Sequence, residues 1–176
     1  MARPSRIQTQ RLNLEPLRVK DADEMVEVLA DPLIYLFMGG EPPTLPELQA
    51  RYELQASGRS PDATQEWLNW IVRPTSDGAA IGFVQTTVVG SDAEVAWVIA
   101  PRWQGNDYAS EAAVALVGWL ERHGMETITA FIHPDHEASA KVARRAGLSQ
   151  TDEMVEGEIA WRRSSSPPGE GSTPSA

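Results

Sequence analysis

The residues best suited to chemistry lie between positions 95 and 112, where an apolar run meets a glycine-containing loop and then a helical pattern. Apolar and β-branched residues fill 95–100, Gly105 follows within the loop, and residues 110–123 carry apolar side chains at helical spacing. A loop that opens directly into a helix aims unpaired backbone N–H groups and the positive end of the helix dipole at one spot. Such a junction is suited to binding a phosphate, although a plain connection between two elements has the same sequence pattern.

The loop resembles motif A of the GNAT superfamily of N-acetyltransferases, R/Q-x-x-G-x-G/A, whose amides bind the pyrophosphate of acetyl-CoA. The register follows the common sequence W-Q-G-x-G-Y-A-S/T-E-A. The resemblance implies acetyl-CoA as co-substrate, with strand amides of Val98, Ile99 and Ala100 binding the pantetheine arm and the thioester carbonyl. The implied cofactor loop comprises Gln104, Gly105, Asn106, Asp107, Tyr108, Ala109 and Ser110.

A second segment, residues 132–139 followed by Ala146-Gly147-Leu148, is similar to motif B of that superfamily, H-P-x-N-x-x-S followed by K-x-G-F. With two motifs at the expected spacing, the chain is identified as a GNAT member that resembles the RimJ/RimL-like ribosomal-protein alanine acetyltransferases and their small-molecule relatives. The likeness covers roughly residues 7–163. It implies an α/β (α+β) fold, a central mixed, mostly antiparallel sheet of about six to seven strands with helices on both faces.

Asp107 departs from motif A, because it stands where the motif has its central glycine. A carboxylate about 5 Å from a pyrophosphate, at an effective dielectric constant of about 20, costs about 3 kcal/mol, or roughly a hundredfold in affinity. Two interpretations remain open. Asp107 caps the helix by accepting from the amide of Ala109 or Ser110 and turns outward, or the cofactor site is weakened or lost.

His136 departs from motif B, which usually has an asparagine at this position. The resemblance implies that this residue bridges the pantetheine arm and the sheet, and imidazole still donates or accepts one hydrogen bond there. The alternative is an exposed residue at a helix N-terminus.

Acetyl transfer to an amine requires a deprotonated nucleophile, a polarised thioester carbonyl and a proton for the departing thiolate. The resemblance implies Glu94 as the base acting through water, although a solvent-facing residue at the end of a hairpin turn would look the same. The family's tyrosine acid is absent, since Ala143 occupies its position. The resemblance to the RimJ/RimL-like branch implies Ser139 as the substitute acid; alternatively it is a small core residue bonded to its own backbone.

The acceptor pocket is expected in the irregular segment after Asp31-Pro32. The resemblance implies that this segment builds the substrate-binding surface, and ordinary packing beneath a loop is the alternative. The candidate substrate-binding residues are Tyr35, Phe37, Met38 and Glu41.

Composition restricts the partners. The 15 basic and 25 acidic residues among 176 give a formal net charge of −10, which argues against nucleic-acid and membrane-surface binding and favours a cationic acceptor. No cysteine is present and no two of the three histidines have the spacing of a helical zinc motif, so no metal site is expected. The lack of a signal-like apolar stretch and of a run of about 18 apolar residues predicts a cytoplasmic protein without a membrane segment.

One domain over residues 1–163 and a disordered Ser/Pro/Gly tail over 164–176 are expected. Capping-box pairs Asp21/Glu24 and Thr44/Glu47 predict two helices after the first strand. Short turns join the next three strands into an antiparallel meander, and helices then alternate with strands. The predicted strands are 11–17, 66–72, 80–89, 94–100, 127–132, 149–155 and 158–163, and the later helices are 110–123 and 137–146.

The leading hypothesis is an enzyme that transfers an acetyl group from acetyl-CoA to a primary amine of a small molecule or a protein N-terminus. Asp107, His136 and the missing tyrosine motivate an alternative, a catalytically degenerate GNAT-fold module for binding or regulation. A third possibility is an acyltransferase that uses a different acyl-CoA. A homodimer is a further expectation, since dimers are common in families like this.

Overall fold

The computed structural model describes residues 4–164, which form one eight-stranded sheet with five helices packed against it. The strands are β1 (Ile7–Gln8), β2 (Leu12–Pro16), β3 (Glu66–Pro74), β4 (Gly82–Val89), β5 (Asp92–Ile99), β6 (Thr127–Ile132), β7 (Ser149–Val155) and β8 (Glu158–Ser164). The helices are α1 (Ala22–Val28), α2 (Tyr35–Met38), α3 (Leu45–Ala56), α4 (Tyr108–Arg122) and α5 (Glu137–Arg145). Short 3₁₀ turns lie at Val19–Asp21, Pro32–Ile34 and Pro101–Trp103.

The strands follow the order β1-β2-β3-β4-β5-β6-β8-β7 across the sheet. Neighbours from β1 to β5 pair antiparallel, as do β6, β8 and β7, because short connections join most of them. β5 and β6 run parallel, and α4 makes the crossover between them. The expectation of a mixed, mostly antiparallel sheet is confirmed.

The parallel pair separates soon after it begins. β5 and β6 pair from Asp92 opposite Thr127 to Glu94 opposite Thr129, whereas β5 stays paired with β4 as far as Ile99. One edge of β5 over residues 95–99 therefore has no ladder partner among the strands of residues 4–164. The N–H groups of alternate residues point to this free edge and are available to a ligand there.

The core has two parts, one on each face of the sheet. On one face, Trp70 and Val72 of β3 belong to the cluster that includes α4 and α5. On the other, Ile71 belongs to the cluster of α1 and α3. This alternation follows from the two-residue period of a strand. Helices cover both faces, as predicted.

Several boundaries differ from the prediction. The two-residue β1 brings the strand count to eight, and α4 begins at Tyr108, two residues earlier than its apolar pattern indicates. The Thr44 capping box is present, since the Thr44 amide donates to Glu47 at 2.8 Å. The predicted Asp21/Glu24 box is wrong because Glu24 instead accepts from the Ala80 amide at 2.6 Å. A tertiary contact thus replaces the local one.

The predicted tail begins one residue too early, because Ser164 is the last residue of β8 and pairs with Thr127. Residues 165–176 lie outside the described residues, so the expectation of a disordered tail stays a prediction.

Candidate active site

A cavity of about 890 Å³ opens where β5 and β6 separate. Its walls are β5, the loop before α4, the first turn of α4, the start of α5 and the segment around α2. Small-molecule sites commonly have volumes of about 300–1,000 Å³. Both sequence motifs therefore border one ligand-sized cavity.

The N-terminus of α4 forms one end of the cavity. Gly105 has a φ of 82°, which a side chain rarely permits, and it turns the loop so that the helix starts at Tyr108. Asp107 provides no side-chain cap, and the first helical backbone bond runs from the Glu111 N–H to the Asp107 carbonyl at 3.1 Å. Among residues 4–164, no backbone carbonyl accepts a hydrogen bond from the N–H groups of residues 108–110. These amides and the helix dipole favour an anion.

Gln104 holds the loop against the end of β5. Its side-chain amide donates to the Ile99 carbonyl at 2.9 Å. The Ala100 N–H donates to the Ile81 carbonyl at 2.8 Å. The amide of Ala100 is therefore already used, which corrects the expectation that it binds the pantetheine. The amide of Val98, two residues earlier, faces β4 as that of Ala100 does, because the backbone groups of a strand alternate between its edges. Of the predicted strand residues, Ile99 stays a candidate because its amide faces the free edge.

Arg11 braces the same loop from the hairpin between β1 and β2, and sequence analysis missed it. Its Nη2 donates to the Asn106 carbonyl at 3.0 Å, and its Nε lies 2.7 Å from Oε2 of Glu111. The hydroxyl of Thr9 donates to Glu111 at 2.6 Å, and the Arg11 guanidinium lies 4.8 Å from the centre of the Tyr108 ring. Desolvation opposes ionisation of Glu111, but the bonds from Thr9 and Arg11 prevail and lower its pKa. No local pattern reveals this brace, because Arg11 and Glu111 are 100 positions apart.

Glu94 lies at the other end of the cavity, opposite Thr87 of β4. Its neighbours Ala93 and Val95 are buried on the α4 face, so its side chain points to the other face. Partial burial in the concave wall raises the pKa of Glu94, and the negative charge of Glu158 raises it further. A carboxylate with a raised pKa is a stronger base. Glu158 also lines the cavity and was not predicted.

Ser139 lies in the first turn of α5 and lines the cavity. Its side chain is half-buried, and among residues 4–164 its hydroxyl makes no hydrogen bond. The alternative of a core serine bonded to its own backbone is therefore wrong. A hydroxyl without an acceptor is free to donate to a group in the cavity.

The segment around α2 covers part of the opening. Phe37 and Met38 line the cavity, but Tyr35 and Glu41 do not. The Tyr35 hydroxyl donates to the Leu29 carbonyl at 2.9 Å, so it is bound within the protein. Tyr35 and Glu41 thus lie outside the cavity lining, and a substrate-binding role for them stays a prediction. Ile34, in the predicted segment, also lines the cavity, as do Phe83 and Gln85. The latter two were missed because they lie on β4, far along the chain from that segment.

The sequence profile described as "Acetyltransferase (GNAT) domain" matches residues 11–149, most of the chain. The chain belongs to the GNAT acetyltransferase family. No curated protein matches it significantly.

Solved GNAT structures have the same fold at low identity. A putative ribosomal-protein-serine acetyltransferase from Vibrio cholerae is 19% identical with a TM-score of 0.73, over 93% of this chain and 99% of that one. RimL, a ribosomal-protein alpha-N-acetyltransferase in complex with coenzyme A, is 14% identical with a TM-score of 0.74, over 91% and 98%. AAC(6')-Ib in complex with Parmomycin and AcetylCoA is 18% identical with a TM-score of 0.73, over 88% and 93%.

The GNAT glycine of motif A is replaced here by Asp107, and its side chain does not act as predicted. Asp107 has a φ of 60°, a left-handed conformation that suits the family's glycine. The expected cap to Ala109 or Ser110 is absent, and Oδ1 instead lies 2.6 Å from Nη1 of Arg145 in α5. The expectation that Asp107 caps the helix is therefore wrong.

His136, at the GNAT asparagine position, connects α5 to the α2 segment. Its ring stacks on Phe37 with centroids 4.3 Å apart and planes 14° apart. Burial lowers the pKa of His136, and nearby His133 lowers it further, so the neutral ring predominates near pH 7. His136 is thus half-buried rather than exposed.

Two further findings concern residues 4–164 as a whole. They contain no cluster of three or more histidine or acidic side chains that could hold a metal ion. In this part of the GNAT chain no helix has both the length and the apolar character needed to cross a membrane.

Proposed function

We propose that the chain transfers an acetyl group from acetyl-CoA to a cationic primary amine, of a small molecule or a protein N-terminus. The observation that carries the proposal is the cavity itself. It joins an uncapped helix N-terminus, a free strand edge and two carboxylates within one space. The amides of residues 108–110 fit a pyrophosphate, and the free edge over 95–99 fits the amide groups of pantetheine.

Acetyl-CoA supplies the acetyl group as a thioester. The protein binds it at two places, the α4 N-terminus and the β5 edge, and so fixes the position of the acyl carbon. Glu94 receives a proton from the ammonium form of the acceptor, through water, which leaves a nucleophilic lone pair on nitrogen. The nitrogen–carbon bond forms as the carbon–sulfur bond breaks. Ser139 donates its proton to the departing thiolate and regains one, through water, from the nitrogen as that nitrogen becomes an amide. The products are an N-acetyl amide and the thiol of coenzyme A, and the proton taken by Glu94 passes to solvent.

The acceptor end of the cavity favours a cation beside an apolar group. Glu94 and Glu158 are close enough for the charge of one to raise the pKa of the other. Phe37 and Phe83 add apolar surface to the lining of the same cavity. An ammonium group relieves the repulsion between the carboxylates while its carbon skeleton contacts the aromatic rings. The name of the V. cholerae protein supports a ribosomal protein as acceptor, and that of RimL supports a protein alpha-amino group. The Parmomycin complex of AAC(6')-Ib supports a small amine.

The test is release of free coenzyme A thiol from acetyl-CoA across a panel of aliphatic amines, an aminoglycoside and short peptides with free N-termini. We expect release with at least one cationic amine and a fall of about tenfold or more in Glu94→Gln. Propionyl-CoA and longer thioesters run beside acetyl-CoA to decide between acyl donors. Normal acetyl-CoA binding without release by any acceptor would favour the degenerate binding module.

A cytoplasmic location and a homodimer also stay predictions. Sedimentation of the purified chain across concentrations measures the oligomeric state directly.

A further inference from the structure

An unusual charge pair stands beside the anion-binding end of the cavity. Asp107 occupies the left-handed position just before α4 and lines the cavity. Its carboxylate lies 2.6 Å from the guanidinium of Arg145 in the last turn of α5. The pair therefore joins the start of one helix to the end of the other.

The ion pair between Asp107 and Arg145 contributes little to the folding stability of the protein. The side chains of Asp107 and Arg145 are 57% and 43% exposed, and ion pairs in contact with water contribute little to folding. The cation does gain from the negative end of the α5 dipole. The important consequence is electrostatic, because an unpaired carboxylate next to free helix amides would repel any anion that they bind.

We infer that Arg145 neutralises Asp107 and thereby allows a pyrophosphate to bind at the N-terminus of α4. This inference rests on the proposed function, since acetyl-CoA is the ligand concerned. The pair takes the place of the uncharged glycine of motif A. Arg145 is then a positioning and charge-balancing residue whose effect on the ligand passes through Asp107.

A thermodynamic cycle of four proteins tests this role: wild type, Arg145→Gln, Asp107→Asn and the double variant. Asparagine keeps the size of aspartate and tolerates the left-handed conformation, so it removes mainly the charge. Coenzyme A is titrated into each protein by calorimetry, which needs no acceptor and no turnover. An isolated charge at about 5 Å weakens binding about a hundredfold, and exposure and salt reduce this to about tenfold.

We expect Arg145→Gln to raise the Kd for coenzyme A about tenfold and the double variant to lie within about threefold of wild type. Arg145→Lys keeps the charge and should also stay within about threefold. The matched control is Arg144→Gln, one residue earlier on the same helix, where Arg144 lies 3.9 Å from Glu137 instead. The control should bind as wild type does. Thermal melting without ligand confirms that each variant is folded.

The same titrations with 3′-dephospho-CoA, which keeps the pyrophosphate, should show the same loss in Arg145→Gln. Disappearance of the loss with this ligand would mean that Arg145 contacts the 3′-phosphate, and would overturn the inference. So would a double variant as weak as Arg145→Gln, or an Arg145→Gln protein that binds like wild type. Binding by Asp107→Asn but not by wild type would show that Arg145 fails to compensate. Lack of binding by both would overturn the proposed function together with the inference.

Discussion

Replacement of Arg11 by alanine should weaken coenzyme A binding although Arg11 does not line the cavity. Arg11 donates to the Asn106 carbonyl at 3.0 Å and lies 2.7 Å from Glu111, so it fixes both sides of the loop that opens α4. Hydrogen bonds to charged groups contribute about 1.5–3 kcal/mol, and the 45% exposure of the Arg11 side chain reduces this value. If about 1.4 kcal/mol is lost from loop geometry, the Kd rises about tenfold.

Calorimetric titration with coenzyme A measures the effect on Arg11→Ala directly. Arg6→Ala is the matched control, because Arg6 lies on the same edge of the fold and pairs with Glu15 at 3.3 Å, away from the loop. Glu111→Gln removes the charge that faces Arg11 but keeps an acceptor for the Thr9 hydroxyl, so its Kd for coenzyme A should rise less than that of Arg11→Ala. The bracing role would be refuted if the Kd of Arg11→Ala lay within threefold of wild type. It would also be refuted if Arg6→Ala raised the Kd as much as Arg11→Ala does.

Three further perturbations address other residues that line the cavity. Glu158→Gln removes a repulsive charge, so the raised pKa of Glu94 should fall toward 4.5 in a carboxyl NMR titration. An unchanged pKa would mean that burial alone raises the pKa of Glu94. Ser139→Ala should lower kcat about tenfold or more while the Kd for coenzyme A stays constant, and an equal loss in both would indicate a binding role instead. Phe37→Ala exposes the ring of His136, so the lowered pKa of His136 should rise toward 6.5, which a histidine NMR titration measures. An unchanged pKa would show that stacking on Phe37 does not desolvate the ring.

Sequence reasoning succeeded where the determining interactions are local. Thr44 and Glu47 are three residues apart, and their capping box forms as predicted. The loop around Gly105 and the presence of α4 after it follow from turn and helix preferences within a few positions, although α4 starts two residues earlier than its apolar pattern indicates. The family could be predicted as well, because motifs A and B are short patterns in a fixed order that can be recognised in a single sequence.

The errors occur where a side chain has a partner far away along the chain. Asp107 and Glu24 both have residue types suited to local capping, and both instead bind residues on other elements. The distant bond is favoured over the local cap because a charged partner or a buried amide would otherwise be left unpaired. A single sequence offers no sign of which distant residue competes with the local cap.

The placement of charge suggests how one cavity distinguishes its two ligands. Free amides and the dipole of α4 make one end favourable to an anion, while Glu94 and Glu158 make the other end favourable to a cation. An anionic donor in the acceptor end would face two carboxylates, and a cationic amine at the α4 end would face the positive helix terminus. In the proposed reaction each ligand is therefore repelled from the other's place, so that the acyl carbon and the amine are expected to meet between the two ends. The Asp107–Arg145 pair is consistent with this arrangement only because its charges cancel, which keeps the α4 end free of net negative charge.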